Sequence, residues 1–287
     1  MRRPQVSPVV LVLLAVGSVQ FGGALAATLI PAVGALGSVT LRLAIAAAVM
    51  LAVLRPRVRG YDAGDWATVA GFAVALASMN AAFYASLSRL PIGAAVTIEF
   101  VGPLLLAAVL SRLAKDFVAV AVAALGVVLV SGVIGTSTER LDPVGVVLAL
   151  LAGASWAAYI LLSARTGRRF PKLDGLALAM VIATLIVAPV GVVTAGPRLW
   201  HVDILLQGAA IAMLSSVIPY SLELLALRRM RAAVFGVLLS LEPAVAAVAG
   251  FLVLGQRLTG TQLVGLTAVV LASAAVTRRT EPAPPEP

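Results

Sequence analysis

The chain has 287 residues, 61% of them hydrophobic and only 11% charged, and no soluble domain of this length carries so few charges. The formal charge is +9, with no Cys and a single His, so thiolate chemistry, disulfides and Cys/His metal sites are excluded and no cofactor is expected. The basic residues sit at the ends of apolar runs rather than on one face, which points to anchoring against a membrane and not to nucleic acid.

Ten apolar stretches follow in chain order: 8–27, 29–53, 66–87, 92–111, 117–135, 143–163, 175–195, 204–226, 232–254 and 261–277. Most are about 20 residues long, the length a helix needs to cross roughly 30 Å of hydrocarbon. Lipid offers backbone groups no water, so each crossing is helical. Runs without period-2 alternation exclude a barrel. The predicted fold is an all-α membrane protein of ten transmembrane helices. Arg2-Arg3, an apolar run and Ala24-Leu25-Ala26 resemble a cleavable signal, but the run is longer than a signal core and carries Gln20. It is read as the first span. The Pro-rich end, 278–287, is expected to be a disordered cytoplasmic tail.

Charge sets the orientation. With the N-terminus inside, sixteen Lys and Arg residues fall in inner segments, among them Arg55, Arg57, Arg59, Arg165, Arg168, Arg169, Arg228, Arg229 and Arg231. Outer segments hold only Arg89, Arg140, Arg198 and Arg257. Short basic loops are poorly translocated, so both termini are expected in the cytoplasm.

The chain also repeats itself. Leu87-Ser88-Arg89 with Pro103 returns as Leu227-Arg228-Arg229 with Pro243 at the same interval, and Ser111-Arg112-Leu113 is echoed by Gln256-Arg257-Leu258. Leu- and Ala-rich helices align easily, but the Pro and Arg placements and the helix count agree. Two five-helix repeats follow, 8–135 and 143–277. Because five is odd, the second enters the membrane inverted, an architecture suited to alternating access.

Four ionisable groups fall within predicted spans: Arg42, Glu99, Glu223 and Glu242. Each costs about 2.5–3.5 kcal/mol at a helix centre, so each needs a reason. Glu242 precedes Pro243, and Glu99 sits one turn before Pro103. Proline frees a carbonyl one turn earlier and makes a polar spot beside each carboxylate. Both are candidates to take up and release a proton. Arg42 either holds a substrate carboxylate with its planar fork or pairs with one Glu as a structural lock. Glu223, one turn from Arg228, is read as structural, reaching toward the headgroups. Asn80, Tyr84 and Ser88 share one helix face, as do Ser216, Tyr220 and Glu223, and the repeat offset sets Tyr220 opposite Asn80. Gln20, Trp156 and Tyr159 add polar or aromatic groups on the first and sixth helices. Interhelical hydrogen bonding alone also explains any single one of these. A carboxylate and an Arg with amide and phenol groups nearby suit a small zwitterion.

Ser155 follows Gly153-Ala154 in the manner of a membrane serine protease, but the only His, His201, is predicted outside the bilayer, so no enzyme is expected. A passive channel lacks the ring of like groups that a selectivity filter needs.

These segments resemble the drug/metabolite transporter superfamily, with its paired EamA-type repeats, and within it the bacterial threonine/homoserine exporters. The likeness is carried by Ser18-Val-Gln-Phe-Gly-Gly, Leu41-Arg42-Leu, Met79-Asn80-Ala-Ala-Phe-Tyr84 and Glu99-Phe-Val-Gly-Pro103. In the second half it is carried by Gly153-Ala-Ser-Trp156-Ala-Ala-Tyr159, Pro219-Tyr220-Ser-Leu-Glu223 and Leu241-Glu242-Pro243-Ala. The resemblance implies a multi-pass carrier in the bacterial inner membrane that exports threonine, homoserine or related amino acids by proton antiport. The alternative is an exporter of another small metabolite or drug from the same superfamily. Its expected partners are a small zwitterionic substrate, protons and the bilayer.

Overall fold

A computed structural model describes residues 6–90, 92–111, 114–130, 142–242, 244–245 and 259–277, and all regular structure among them is helical. Pro243, Arg112-Leu113, Gln256-Arg257-Leu258, the 278–287 tail and several of the counted basic residues lie outside that set.

Helix α1 runs over Pro8–Leu54, 47 residues, about 70 Å at ~1.5 Å per residue and far more than a bilayer is thick. It folds back on itself. The Val6 carbonyl meets Arg229 at one end, Ser18 bonds the Leu214 carbonyl and Arg42 reaches Ser215 at mid-depth, and the Arg57 amide returns to Asp174 beside Lys172. The reversal comes at Gly34 (φ 72°, ψ 169°), shortly after Pro31. A positive φ is open to glycine at no steric cost. The break between the first two spans therefore lies about six residues beyond the expected position near Thr28.

The remaining helices are α2 (Ala63–Leu87), α3 (Ile92–Leu110), α4 (Ala114–Val130), α5 (Pro143–Arg169), α6 (Asp174–Ala195), α7 (Val202–Ala212), α8 (Ile218–Leu227), α9 (Ala232–Leu239) and α10 (Gly260–Thr277). Their starts are written in the sequence. Asp62 and Asp65 form a reciprocal capping box, and Asp142 accepts from the Val144 and Gly145 amides with Pro143 at the first helical position. A π-helical segment, Met213–Val217, joins α7 to α8, so Val202–Leu227 is one span with a local bulge. Among the described residues five helices are long and apolar enough to cross a membrane, and Pro8–Gly23, Ala94–Leu110, Phe117–Leu129 and Gly260–Ala275 are shorter apolar helices. Large apolar side chains such as Leu105, Val109, Leu185, Val193 and Leu271 are exposed, as expected where the solvent is lipid.

Small residues let the helices approach. A Cβ on Gly102 would run into the Gly153 carbonyl, so α3 and α5 cross backbone to backbone beside Glu99. α2 runs along α5, α1 along both α6 and the α7–α8 span, and α4 along α10. Ion pairs tie α2 to α5 at both ends, Asp65–Arg169 (2.9 Å) and Arg89–Asp142 (3.1 Å). At one end of the bundle, hydrogen bonds join Arg229 to Val6, Arg57 to Asp174, Arg169 to Asp65 and Arg228 to Phe170.

Candidate functional site

Arg42 lies in the descending limb of α1 and is 7% exposed. Its partners are neutral. Nη2 donates to Asn80 Oδ1, Nη1 donates to Ser215 Oγ (3.4 Å), and the guanidinium sits 5.8 Å from the Tyr84 ring centroid. Among the described residues no carboxylate is within ion-pair distance, so the structural lock between Arg42 and a Glu is not made. The π segment accounts for part of this arrangement. It turns Ser215 toward Arg42 while Gly22 packs on the Ser215 Cβ, leaving no room for a larger residue. Arg42 Nε and Ser216 Oγ are buried with no hydrogen-bond partner among the described residues. A donor left over on a buried cation is what a carboxylate ligand requires.

Asn80 carries the network onward: its Nδ2 donates to the Leu76 carbonyl (2.8 Å) and toward the Tyr220 hydroxyl (3.4 Å). The opposition of Asn80 and Tyr220, expected from the repeat offset, is present. Beyond Tyr220 lies Tyr159, ring centroids 5.6 Å apart. The Tyr159 hydroxyl donates to Glu223 Oε2 at 2.7 Å.

Glu223 is 4% exposed, so it does not reach toward the headgroups as expected. Packing of α8 against α5 encloses it. Glu99 is buried at the α3–α5 crossing, and Glu242 is half-buried within electrostatic range of both Glu223 and Glu99. Three carboxylates thus gather on one side of Tyr159 and Tyr220, and a lone guanidinium stands on the other.

Of the expected site residues, Arg42, Asn80, Tyr84 and Tyr220 form one connected group. Tyr159 bonds Glu223, and Glu242 lies within electrostatic range of Tyr159, Glu223 and Glu99. Trp156 packs edge-on against Phe100 (4.8 Å), beside Glu99. Gln20 is half-buried and makes no hydrogen bond among the described residues. Ser88, on the Asn80 face, is exposed at the helix end and bonds the Ala85 carbonyl. Ser155 is buried in α5, and His201 is exposed at the start of α7.

The signature of the EamA-like transporter family matches residues 143–278. The threonine/homoserine exporter RhtA of Salmonella typhimurium (strain LT2) is 40% identical over 96% of this chain and 93% of its own length. The protein of the same name from Escherichia coli (strain K12) is 41% identical over 93% of this chain and 90% of its own. A solved crystal structure shares the fold, with a TM-score of 0.77 at 19% identity over 93% of this chain and 96% of its own. These relatives are carriers rather than enzymes, and the apolar helices place the chain in the bacterial inner membrane as a multi-pass protein. With two-fifths identity to named exporters over nearly its full length, this chain belongs to the EamA-like transporter family.

Proposed function

We propose that the protein exports small amino acids of the threonine and homoserine kind by proton antiport with alternating access. The observation that carries this reading is the separation of charge. Among the described residues a buried Arg42 has no anionic partner, and the buried Glu99 and Glu223 and the half-buried Glu242 have no cationic one. Leaving both unpaired in lipid is costly, and a zwitterion completes both at once. Its carboxylate meets the Arg42 guanidinium, the unpartnered Nε included. Its ammonium meets the Glu223 side and displaces a proton there. On the outer side a proton competes the amine away, and the reprotonated carrier returns. The relatives' name supports the substrate class.

The transport cycle needs two forms of near-equal energy, which inverted repeats supply. Helices 8–135 and 143–277 are read as those repeats, with both termini in the cytoplasm. The family match over 143–278 supports the second boundary. Exchanging the halves maps the α2–α5 packing onto that of the first limb of α1 with α7–α8, which supports the symmetry. The hydrogen-bonded basic end, with Arg57, Arg169, Arg228 and Arg229, supports its cytoplasmic placement.

Counterflow in proteoliposomes, with threonine, homoserine, serine and proline tested separately, checks the reading. Exchange of threonine or homoserine is expected, and its absence with exchange of a flat metabolite or drug instead overturns it. That second reading draws on the rings of Phe72, Tyr159 and Tyr220, tilted against one another with centroids 5.3 and 5.6 Å apart at the same site.

A further inference from the structure

Antiport requires a proton to leave the buried carboxylates for the cytoplasm, and the structure holds a line of groups suited to that. Tyr159, Ser163 and Gly167 are successive one-turn steps on a single stripe of α5. The stripe faces α8 at both ends. Tyr159 bonds Glu223, and a Cβ on Gly167 would meet Arg228 Cγ at 3.0 Å and Leu224 at 3.5 Å. Ser163 is therefore bracketed by two contacts with α8. Thr166, three residues on, lies with its methyl group against Gly175, the neighbour of Asp174 at the start of α6.

Ser163 and Thr166 are completely buried, and neither hydroxyl has a hydrogen-bond partner among the described residues. They share this with Thr40 and Ser216, and differ from other hydroxyls of the same fold. Ser111, Thr184, Ser215 and Thr267 each bond the carbonyl four residues back, the usual refuge of a hydroxyl in an apolar helix. A buried polar group without a protein partner binds water or a passing ligand. From Tyr159 to Thr166 the line covers about 10 Å at ~1.5 Å per residue.

Charged groups lie at its inner end. Asp174 is 7% exposed and accepts from the Arg57 amide, while Arg228 donates to the Phe170 and Lys172 carbonyls. Arg165, Arg168 and Arg169 on α5 are exposed, and Arg169 is engaged by Asp65 of α2.

We propose that Ser163 and Thr166, between the Tyr159–Glu223 pair and Asp174, form a proton conduit to the cytoplasmic face. The inference rests on the antiport reading above. A proton leaving the Glu223 carboxyl passes to water in the stripe. Each hydroxyl accepts one proton and gives up another, so none is consumed, and Asp174 hands the charge to solvent. Substrate does not enter this stripe, and the two functions are separable.

The test compares two assays of the purified full chain in liposomes: threonine efflux driven by an imposed pH gradient, and threonine counterflow at equal pH, which needs no net proton movement. In Ser163→Ala combined with Thr166→Val, driven efflux is expected to fall at least about tenfold, while counterflow stays at the unsubstituted rate. Thr166→Ser, which keeps the hydroxyl, is expected to retain the driven efflux that Thr166→Val loses, and Asp174→Asn to mimic the double variant. Driven efflux undiminished in the double variant overturns the conduit and leaves antiport standing. Counterflow falling in parallel with efflux assigns the hydroxyls to packing and overturns it too. If the unsubstituted protein exchanges threonine but ignores the pH gradient, the antiport reading falls and takes the conduit with it.

Discussion

The two sides of the buried polar centre are built on opposite plans. Arg42 is fixed by neutral groups from three directions: Asn80 of α2, Ser215 of the π segment and the Tyr84 ring. Its charge is held in place without being cancelled, and only the fork geometry is specified. On the other side Glu99, Glu223 and Glu242 come from three different segments, and the phenol of Tyr159 donates to Glu223. One side has a single fixed charge. The other is a group of like-charged side chains near one another, able to exchange a proton for an ammonium. The contrast separates recognition from coupling, and substitutions should separate them as well.

The largest effect is expected at the fixed charge. Arg42→Gln removes the sole cation of the centre, and truncating one member of a buried charge pair costs about 2–5 kcal/mol. Threonine counterflow should weaken at least about thirtyfold in apparent affinity, that range converted at about 1.4 kcal/mol per tenfold. Arg42→Lys should recover little of it, because an ammonium cannot present the same fork to Asn80 and a carboxylate together. A near-normal Lys variant would show that only charge is read there.

The carboxylates test the other half of the contrast. Glu99→Gln and Glu242→Gln are each expected to abolish the response of efflux to a pH gradient. Full coupling retained in both removes them from the proton pathway and leaves Glu223 alone with that role. An intermediate effect is expected for Tyr159→Phe, which deletes the 2.7 Å hydrogen bond to Glu223 and nothing else. Hydrogen bonds to charged groups contribute about 1.5–3 kcal/mol. Driven efflux should therefore slow by about tenfold or more, while the melting temperature in detergent moves little. A large drop in melting temperature instead would make Tyr159 a packing residue.

Much of this was legible in the sequence, because a bilayer leaves few ways to satisfy a backbone and few reasons to bury a charge. The helical class, the burial of Arg42 and Glu99, and the Asn80–Tyr220 opposition follow from hydropathy and a repeat offset. Three things were not legible. The turn in α1 falls at Gly34 because only there does the backbone take a positive φ, whereas hydropathy dips earlier, near Thr28. Glu223 looked like a helix-end residue beside Arg228, but α8 packs on α5, so its depth is set by a neighbour distant in sequence. Ser215 was passed over because nothing in Leu214-Ser215-Ser216 announces a π segment, which shifts the face those residues present. Local pattern reported each helix, and packing decided which side of the centre each polar group joined.

The smallest effect concerns the rim rather than the centre. Asp142 caps α5, accepting from the Gly145 and Val144 amides and pairing with Arg89 across from α2. Those amide bonds, the Gly145 one foremost, outweigh the small opposing effect of burial and hold its carboxyl below the usual aspartate range. A depressed folded-state value means the group stabilises the fold above the ordinary aspartate value. That contribution is lost as pH falls through the depressed one. Asp142→Ala should therefore lower the melting temperature slightly at neutral pH, and the difference from the unsubstituted protein should shrink under strongly acidic conditions. The pair is exposed, so salt should erode its share while sparing the amide bonds, which are local. If the difference persists unchanged into acid, the cap acts through neutral hydrogen bonding alone. The Arg89–Asp142 tie would then contribute nothing to holding α2 against α5 at that end, leaving Asp65–Arg169 as the charged fastening between them.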